Sequence, residues 1–174
     1  MLFTVILQEA NSLSRHPAED LLKRLATGEK DAMAELYQET RAAVYGFSLS
    51  ILKNPSDAED VLHDTYLKIY ASAGSYQANG NPMAWSLTIA KNLSLMKLRE
   101  ESRFRDLEDY EWESAVPVDA IPVDRVLLRT ALQILTSEER QVILLHALSG
   151  LKHREIARLL DLALPTVLSK YHRH

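Results

Sequence analysis

Apolar residues recur at helical spacing through two separate stretches of the chain, and nothing else constrains the fold as much. Between residues 19 and 53 the series Leu21, Leu22, Leu25, then Met33, Leu36, Tyr37, then Val44, Phe47, Leu49 and Leu52 keeps one side apolar, with Thr27-Gly28 dividing it into two helices. Asn54-Pro55 is a turn signal. Ser56 then reads as an N-cap, with Glu59 closing a capping box. The helix it opens carries Ala58, Val61, Leu62, Thr65, Tyr66 and Ile69 as one buried stripe. Residues 74–82 are a polar loop ending at Asn81-Pro82, where Asn81 suits a cap and Pro82 a first helical turn. The next helix is expected from about Met83 to beyond Arg99, with Trp85, Ile89, Ala90, Leu93 and Met96 as its apolar stripe.

Residues 101–124 break this pattern. Acids dominate, with Arg103 and Arg105 as the only bases, and Pro117 and Pro122 interrupt any period. Such a segment reads as an acidic linker between two domains. Helical spacing returns with Leu127, Leu128, Ala131, Leu132 and Leu135. Thr136-Ser137-Glu138-Glu139 is a further capping box, and Gly150 ends the helix it opens. Two short helices are expected at about 153–160 and 165–173. The expected fold class is therefore all-α: two small helical domains, 19–100 and 126–174, joined by an acidic linker at 101–125 and preceded by an extension at 1–18.

Composition narrows the function. With no cysteine, a disulfide scaffold, a zinc ribbon and a thiol nucleophile are excluded. Met1 to Leu7 is apolar but lacks the basic start and cleavage site of a secretory signal. No run approaches the roughly 20 apolar residues that span a bilayer, so a cytoplasmic protein without membrane insertion is expected. The formal net charge of −4 counts against a free-standing DNA binder. It leaves room for one whose DNA affinity is shared with a large partner. A helical enzyme built on His63, Asp64, His146 and His153 finds no support in a Gly-rich phosphate loop, a nucleophile elbow or a paired ligand motif, and no cofactor is expected.

The last segment carries the most information. From Gly150 to Arg173 it reads as a helix-turn-helix. Ala157 supplies the small side chain needed where two helices approach, Asp161 falls at the turn, and Val167 faces back onto Ile156 and Leu160. Thr166, Ser169, Lys170, His172 and Arg173 are expected to point outward from a helix that fits the major groove. Residues 151–174 hold five basic residues, Arg154 among them, against two acidic ones in an otherwise acidic chain. The other reading is a plain helical hairpin whose basic face is solvated.

This segment resembles the promoter-reading domain of the extracytoplasmic-function group of sigma factors. The matching residues are Leu135-Thr-Ser-Glu-Glu-Arg140, Gly150-Leu151, Glu155-Ile156-Ala157 and Thr166-Val167, with Ser169, Lys170 and His172-Arg173. Asp161 and Pro165 stand where the group has Gly, and Leu168 stands where it has Lys. The sequence ends at His174, inside the expected recognition helix, which implies a frayed helix end and reduced DNA affinity.

Two further stretches are similar to the same group. Asn54 to Tyr70 resembles its core-binding helix, in which Asp57, Asp60 and Asp64 share one face, with Glu59 and His63 beside them. By their spacing alone these acids read rather as a solvated surface that suits a helix N-terminus. Pro82 to Leu93 resembles its promoter-melting helix, with Met83 for an aromatic and Thr88 for an Arg. The resemblance implies that Thr88, Lys91, Asn92 and Arg99 face DNA. It also implies that the loop with Tyr76 and Asn79 borders a pocket for a base flipped from the non-template strand, Tyr76 being its one aromatic wall. The implied protein is a sigma factor without its own catalytic activity and a monomer when free. Its implied partners are RNA polymerase core, promoter DNA and an anti-sigma factor. The alternative is a sigma-like regulator that binds core or an anti-sigma factor without productive promoter recognition.

Overall fold

The computed structural model describes residues 17–77, 81–101 and 134–173, and these form seven α-helices and one 3-10 turn without a strand. They are α1 (Pro17–Ala26), α2 (Asp31–Leu52), α3 (Pro55–Ser72), the 3-10 turn Ala73–Ser75, α4 (Pro82–Glu101), α5 (Ser137–Ser149), α6 (His153–Leu160) and α7 (Leu164–His172). The extension, most of the linker, Asn79 and the stripe Leu127 to Leu132 lie outside the described residues.

Helix ends follow local chemistry. At α3 the cap is Asn54 rather than Ser56: the Asn54 side chain accepts from the Asp57 amide at 3.2 Å and Pro55 takes the first helical position. Proline needs no donor there and its φ is already helical, so the helix starts two residues earlier than a Ser56 cap would allow. Asn81 caps α4, accepting from the Met83 amide at 2.9 Å. Thr136 and Glu139 close the expected capping box of α5, and Gly150 ends that helix at φ 63°. Two non-glycine residues among those described hold left-handed backbone, Lys53 (φ 54°) and Asp161 (φ 57°), each just past a helix end.

Helices α1–α4 form a bundle around Leu22, Leu36, Val44, Phe47, Ile69 and Leu87. The α3 stripe is buried as expected. The α4 stripe is not. Its buried residues are Met83, Ser86, Leu87, Ala90, Leu93 and Ser94, whereas Trp85 and Ile89 are half-buried at its flank and Met96 is exposed. Small residues face the bundle and let α4 approach α2 and α3 closely, which turns the larger Met96 outward.

The second domain packs directly on the first. In α2, every residue from Ala43 to Ser50 is buried, which one neighbouring bundle cannot achieve. Helix α5 covers the side the bundle leaves open, and Leu148 Cδ1 lies 3.7 Å from where a Cβ on Gly46 would stand. Val142, Leu145, Leu151, Ile156 and Val167 thereby join the same core as Phe47 and Leu49.

Two substitutions should stabilise the protein for opposite reasons. Gly46→Ala removes helix-interior glycine and places its methyl at ordinary contact distance from Leu148, so chemical denaturation should show a gain of about 0.5–1 kcal/mol. Lys53→Gly relieves left-handed backbone in a residue with no short polar side chain to support it, with a gain of about 1 kcal/mol. A loss at Gly46→Ala would mean that α5 sits closer to α2 than described.

Candidate acidic docking face and nucleic-acid interface

The acids of α3 fall into two groups. Asp57 is half-buried and its Oδ1 lies 3.1 Å from Lys97 Nζ, while Asp60 Oδ2 accepts from the same ammonium at 2.7 Å. The hydrogen bond from Lys97 holds the Asp60 carboxyl below its ordinary range. Burial opposes the charge on Lys97, but Asp60 and Asp57 together outweigh it and raise its pKa. Glu59, His63 and Asp64 lie on the exposed surface, and His63 is tied to its own helix through Nδ1 and the Glu59 carbonyl at 2.8 Å. One continuous acidic face therefore exists, with its inner edge neutralised by Lys97. The exposed Leu67 and Tyr70 follow on the same helix.

Tyr76 has an aromatic neighbour on α4. The ring of Tyr76 packs on Trp85 at 5.2 Å, both half-buried, and burial raises the Tyr76 phenol. Trp85 is thus a second aromatic at this place, which its assignment to the core had hidden. Thr88, Asn92 and Arg99 lie exposed on α4 as expected. Lys91, half-buried, reaches the second domain. Its Nζ donates to the Leu159 carbonyl at 2.6 Å, at the end of α6. The side-chain amide of Asn81 also donates to Glu155 Oε1 at 3.0 Å. Two polar bonds therefore fasten the start and middle of α4 to α6.

The helix-turn-helix forms as the spacing requires. Val167, Ile156 and Ala157 are buried, and the left-handed turn at Asp161 lets the Leu162 amide reach the Ala157 carbonyl at 2.9 Å. On α7, Ser169 and His172 are exposed and Thr166 half-buried. Lys170 departs from expectation. It is half-buried and its Nζ lies 2.6 Å from Glu138 Oε2, while exposed Arg173 reaches the buried Glu139 at 3.4 Å. The first turn of α5 holds both bases, because acids favoured at that helix start face the end of α7. Arg154 is exposed on α6, and Arg158 lies one turn further on the same side. His146 and His153 do meet, but no group of three or more potential ligands could hold a metal ion among the described residues.

This arrangement pairs an acidic helix and an aromatic loop on one bundle with a helix-turn-helix on another. Sigma-70 region 2 matches residues 36–104 and Sigma-70, region 4 matches residues 125–173. The chain belongs to the sigma-70 family of RNA polymerase sigma factors. ECF RNA polymerase sigma factor SigK of Mycobacterium sp. (strain KMS) is 32% identical over 159 residues, covering 86% of this chain and 82% of that protein. The SigK of Mycobacterium ulcerans (strain Agy99) is 32% identical over 163 residues, covering 86% and 85%. Within the family this protein is therefore an alternative sigma factor of the extracytoplasmic-function group, directing promoter recognition. Two solved structures share the fold. They are CnrH in complex with the cytosolic domain of CnrY (TM-score 0.59, 22% identity, 90% of this chain and 91% of that one) and RpoE in complex with the anti-sigma factor NepR from Bartonella quintana (0.58, 24%, 83% and 91%).

The Lys91 bond makes the contact between α4 and α6 measurable. Lys91→Met keeps the stem and removes the ammonium, leaving the Leu159 carbonyl without that donor. The expected loss is about 1 kcal/mol in chemical denaturation, with faster amide exchange in α6. Unchanged exchange there would show that the bond carries no share of the contact.

Proposed function

We propose that the exposed part of the α3 acidic face (Glu59, Asp60, His63 and Asp64) docks on a basic surface of RNA polymerase core. In the same reading, α7 reads the upstream promoter element through Thr166, Ser169 and His172, with Arg154 on a flanking phosphate. The N-terminal bundle captures an unpaired base between Tyr76 and Trp85, with Asn79, Thr88, Asn92 and Arg99 along the strand. Asp57 is mainly a structural partner of Lys97. Lys91, Lys170 and Arg173 join the DNA set only after leaving their present partners. The observation that carries this reading is the coexistence, in a chain of this family, of an exposed acidic helix face and a formed helix-turn-helix.

In this reading the domains are 19–100 and 126–174 with the acidic linker between them, and the chain acts in the cytoplasm without catalysing a reaction itself. An anti-sigma factor as partner is supported by the solved relatives, each bound to a second protein. Among the described residues, no helix is long and apolar enough to cross a membrane. Lys91, Lys170 and Arg173 have partners within the chain, so full promoter contact follows their release, and two weak DNA contacts on one scaffold reinforce each other.

A second reading is a sigma-like regulator that binds core or an anti-sigma factor but reads no promoter. It is favoured by one feature, the occupation of Lys170 and Arg173 by Glu138 and Glu139. Run-off transcription with purified core and a genomic fragment library separates the two. Discrete new start sites are expected for the sigma factor, and co-elution with core without start sites for the regulator. Asp64→Lys, on the exposed acidic face, should weaken core binding at least about tenfold through like-charge repulsion while leaving thermal stability unchanged. Undiminished binding would remove the acidic face from the docking site.

A further inference from the structure

Three of the six histidines in the chain gather at one place. His146 stands in the last turn of α5, His153 opens α6, and Tyr171 and His172 end α7. The rings of His146 and His153 stack at 4.8 Å with 17° between their planes. Tyr171 meets both edge-on, at 5.0 Å and 4.6 Å, and His172 lies 6.5 Å from His153. This cluster is where the three helices of the helix-turn-helix domain converge.

The hydrogen bonding constrains His146 and His153 differently. His146 Nδ1 lies 2.9 Å from the Leu151 carbonyl, which can only accept, so the neutral ring carries its proton on Nδ1. His153 Nε2 is buried and has no hydrogen-bond partner among the described residues. A charged imidazolium donates from both nitrogens. Protonation of His153 would therefore leave a buried N–H without an acceptor and place a positive ring face to face with His146.

Among the described residues, no carboxylate is paired with His153. From α5, Glu138 is engaged by Lys170, and Glu139 by Thr136 and Arg173. Arg140, on the same helix, donates to the Leu135 carbonyl. From α6, Glu155 accepts from Asn81 and from the Lys152 amide, Lys152 and Arg154 are exposed cations, and the helix N-terminus itself disfavours a cation at His153. From α7 the charged groups are Lys170 and Arg173, and from α4 the nearby cation is Lys91, at the far end of α6. Stacked rings also point their nitrogens alongside one another rather than at a common ion, which agrees with the lack of a metal-holding group among the described residues.

We propose that His146, His153, Tyr171 and His172 form a proton-operated joint: the neutral rings hold α7 on α5 and α6, and protonation at mildly acidic pH loosens the recognition helix while the α1–α4 bundle stays folded. Burial first, then the charges of His146 and His172, hold the His153 imidazole below its ordinary range. The stabilisation is therefore fully present above the unfolded value of about 6.5 and is lost as pH falls below it through the folded value. This inference concerns the packing of the last three helices and stands whether or not α7 reads a promoter. Glu155 extends the effect, since the helix that His153 opens is also the one fastened to Asn81 and Lys91.

The test uses the whole chain. Histidine NMR titration should show His153 protonating below the ordinary range. Amide exchange, corrected for intrinsic rates, should show protection in α6 and α7 falling at least about threefold between pH 7.5 and pH 5.5, while α2 and α3 keep theirs. His153→Phe keeps an aromatic ring in the stack and cannot charge, so it should abolish the acid-dependent loss. A His153 that titrates at or above the ordinary range, or protection in α6 and α7 that ignores pH, would overturn the proposal. So would the same acid-dependent loss in His153→Phe; should that variant fail to fold, the titration of the native chain decides alone.

Discussion

The packing of α5 on α2 is the contact on which the rest of the structure depends. Helix α2 runs for 22 residues and is buried on every side over its second half. A helix buried all round cannot be explained by one bundle, because a bundle helix keeps one face in water. Here Gly46 faces Leu148 of α5, and its lack of a side chain lets the second helix lie close. Ser50 satisfies its hydroxyl on the Phe47 carbonyl, but Ser48 has no partner among the described residues. An unsatisfied buried hydroxyl weakens a contact by about 1–3 kcal/mol.

Much of this was legible from local rules. Helix starts at Asn81 and Thr136 and the stop at Gly150 followed from side chains that satisfy the first amides or tolerate left-handed backbone. The turn at Asp161 was legible for the same reason, since a short carboxylate tolerates the left-handed region that the group fills with Gly. The α3 stripe followed because its apolar residues are also its buried ones. The α4 stripe did not, and Met96 shows why. Periodicity weighs apolar bulk, whereas close helix contact selects small residues whatever their polarity. Ser86 returns its hydroxyl to the Pro82 carbonyl at 3.0 Å, so burying it costs little. The Asn54 cap was missed because two capping signals overlapped within three residues, and Pro55 decided between them.

Long-range pairings were beyond the sequence altogether. Lys97 follows Asp57 by 40 positions and could have met any acid, yet it bridges Asp57 and Asp60. Lys170 and Glu138 are the same case. Spacing shows which residues share a helix face, but not which faces meet. Spacing therefore placed the candidate residues on their helices without showing which side chains already have partners. Lys91, Lys170 and Arg173 are all on the expected helices and all engaged.

That engagement bears on how an acidic protein can serve at a promoter. Phosphate neutralisation supplies most of the affinity of a free DNA binder, and each cation withheld from it lowers affinity and the steepness of its salt dependence. Three cations of the candidate interface are bound internally here, two of them by acids on α5. Freeing Lys170 costs little, because Glu138 is more than half exposed and surface ion pairs contribute at most about 1 kcal/mol. Arg173 is held by a carboxylate that is itself almost wholly buried and also caps α5, so its release would disturb a helix start. The two pairs therefore differ in kind. The Lys170 pair is easily opened, whereas Arg173 fixes the end of α7 on the start of α5.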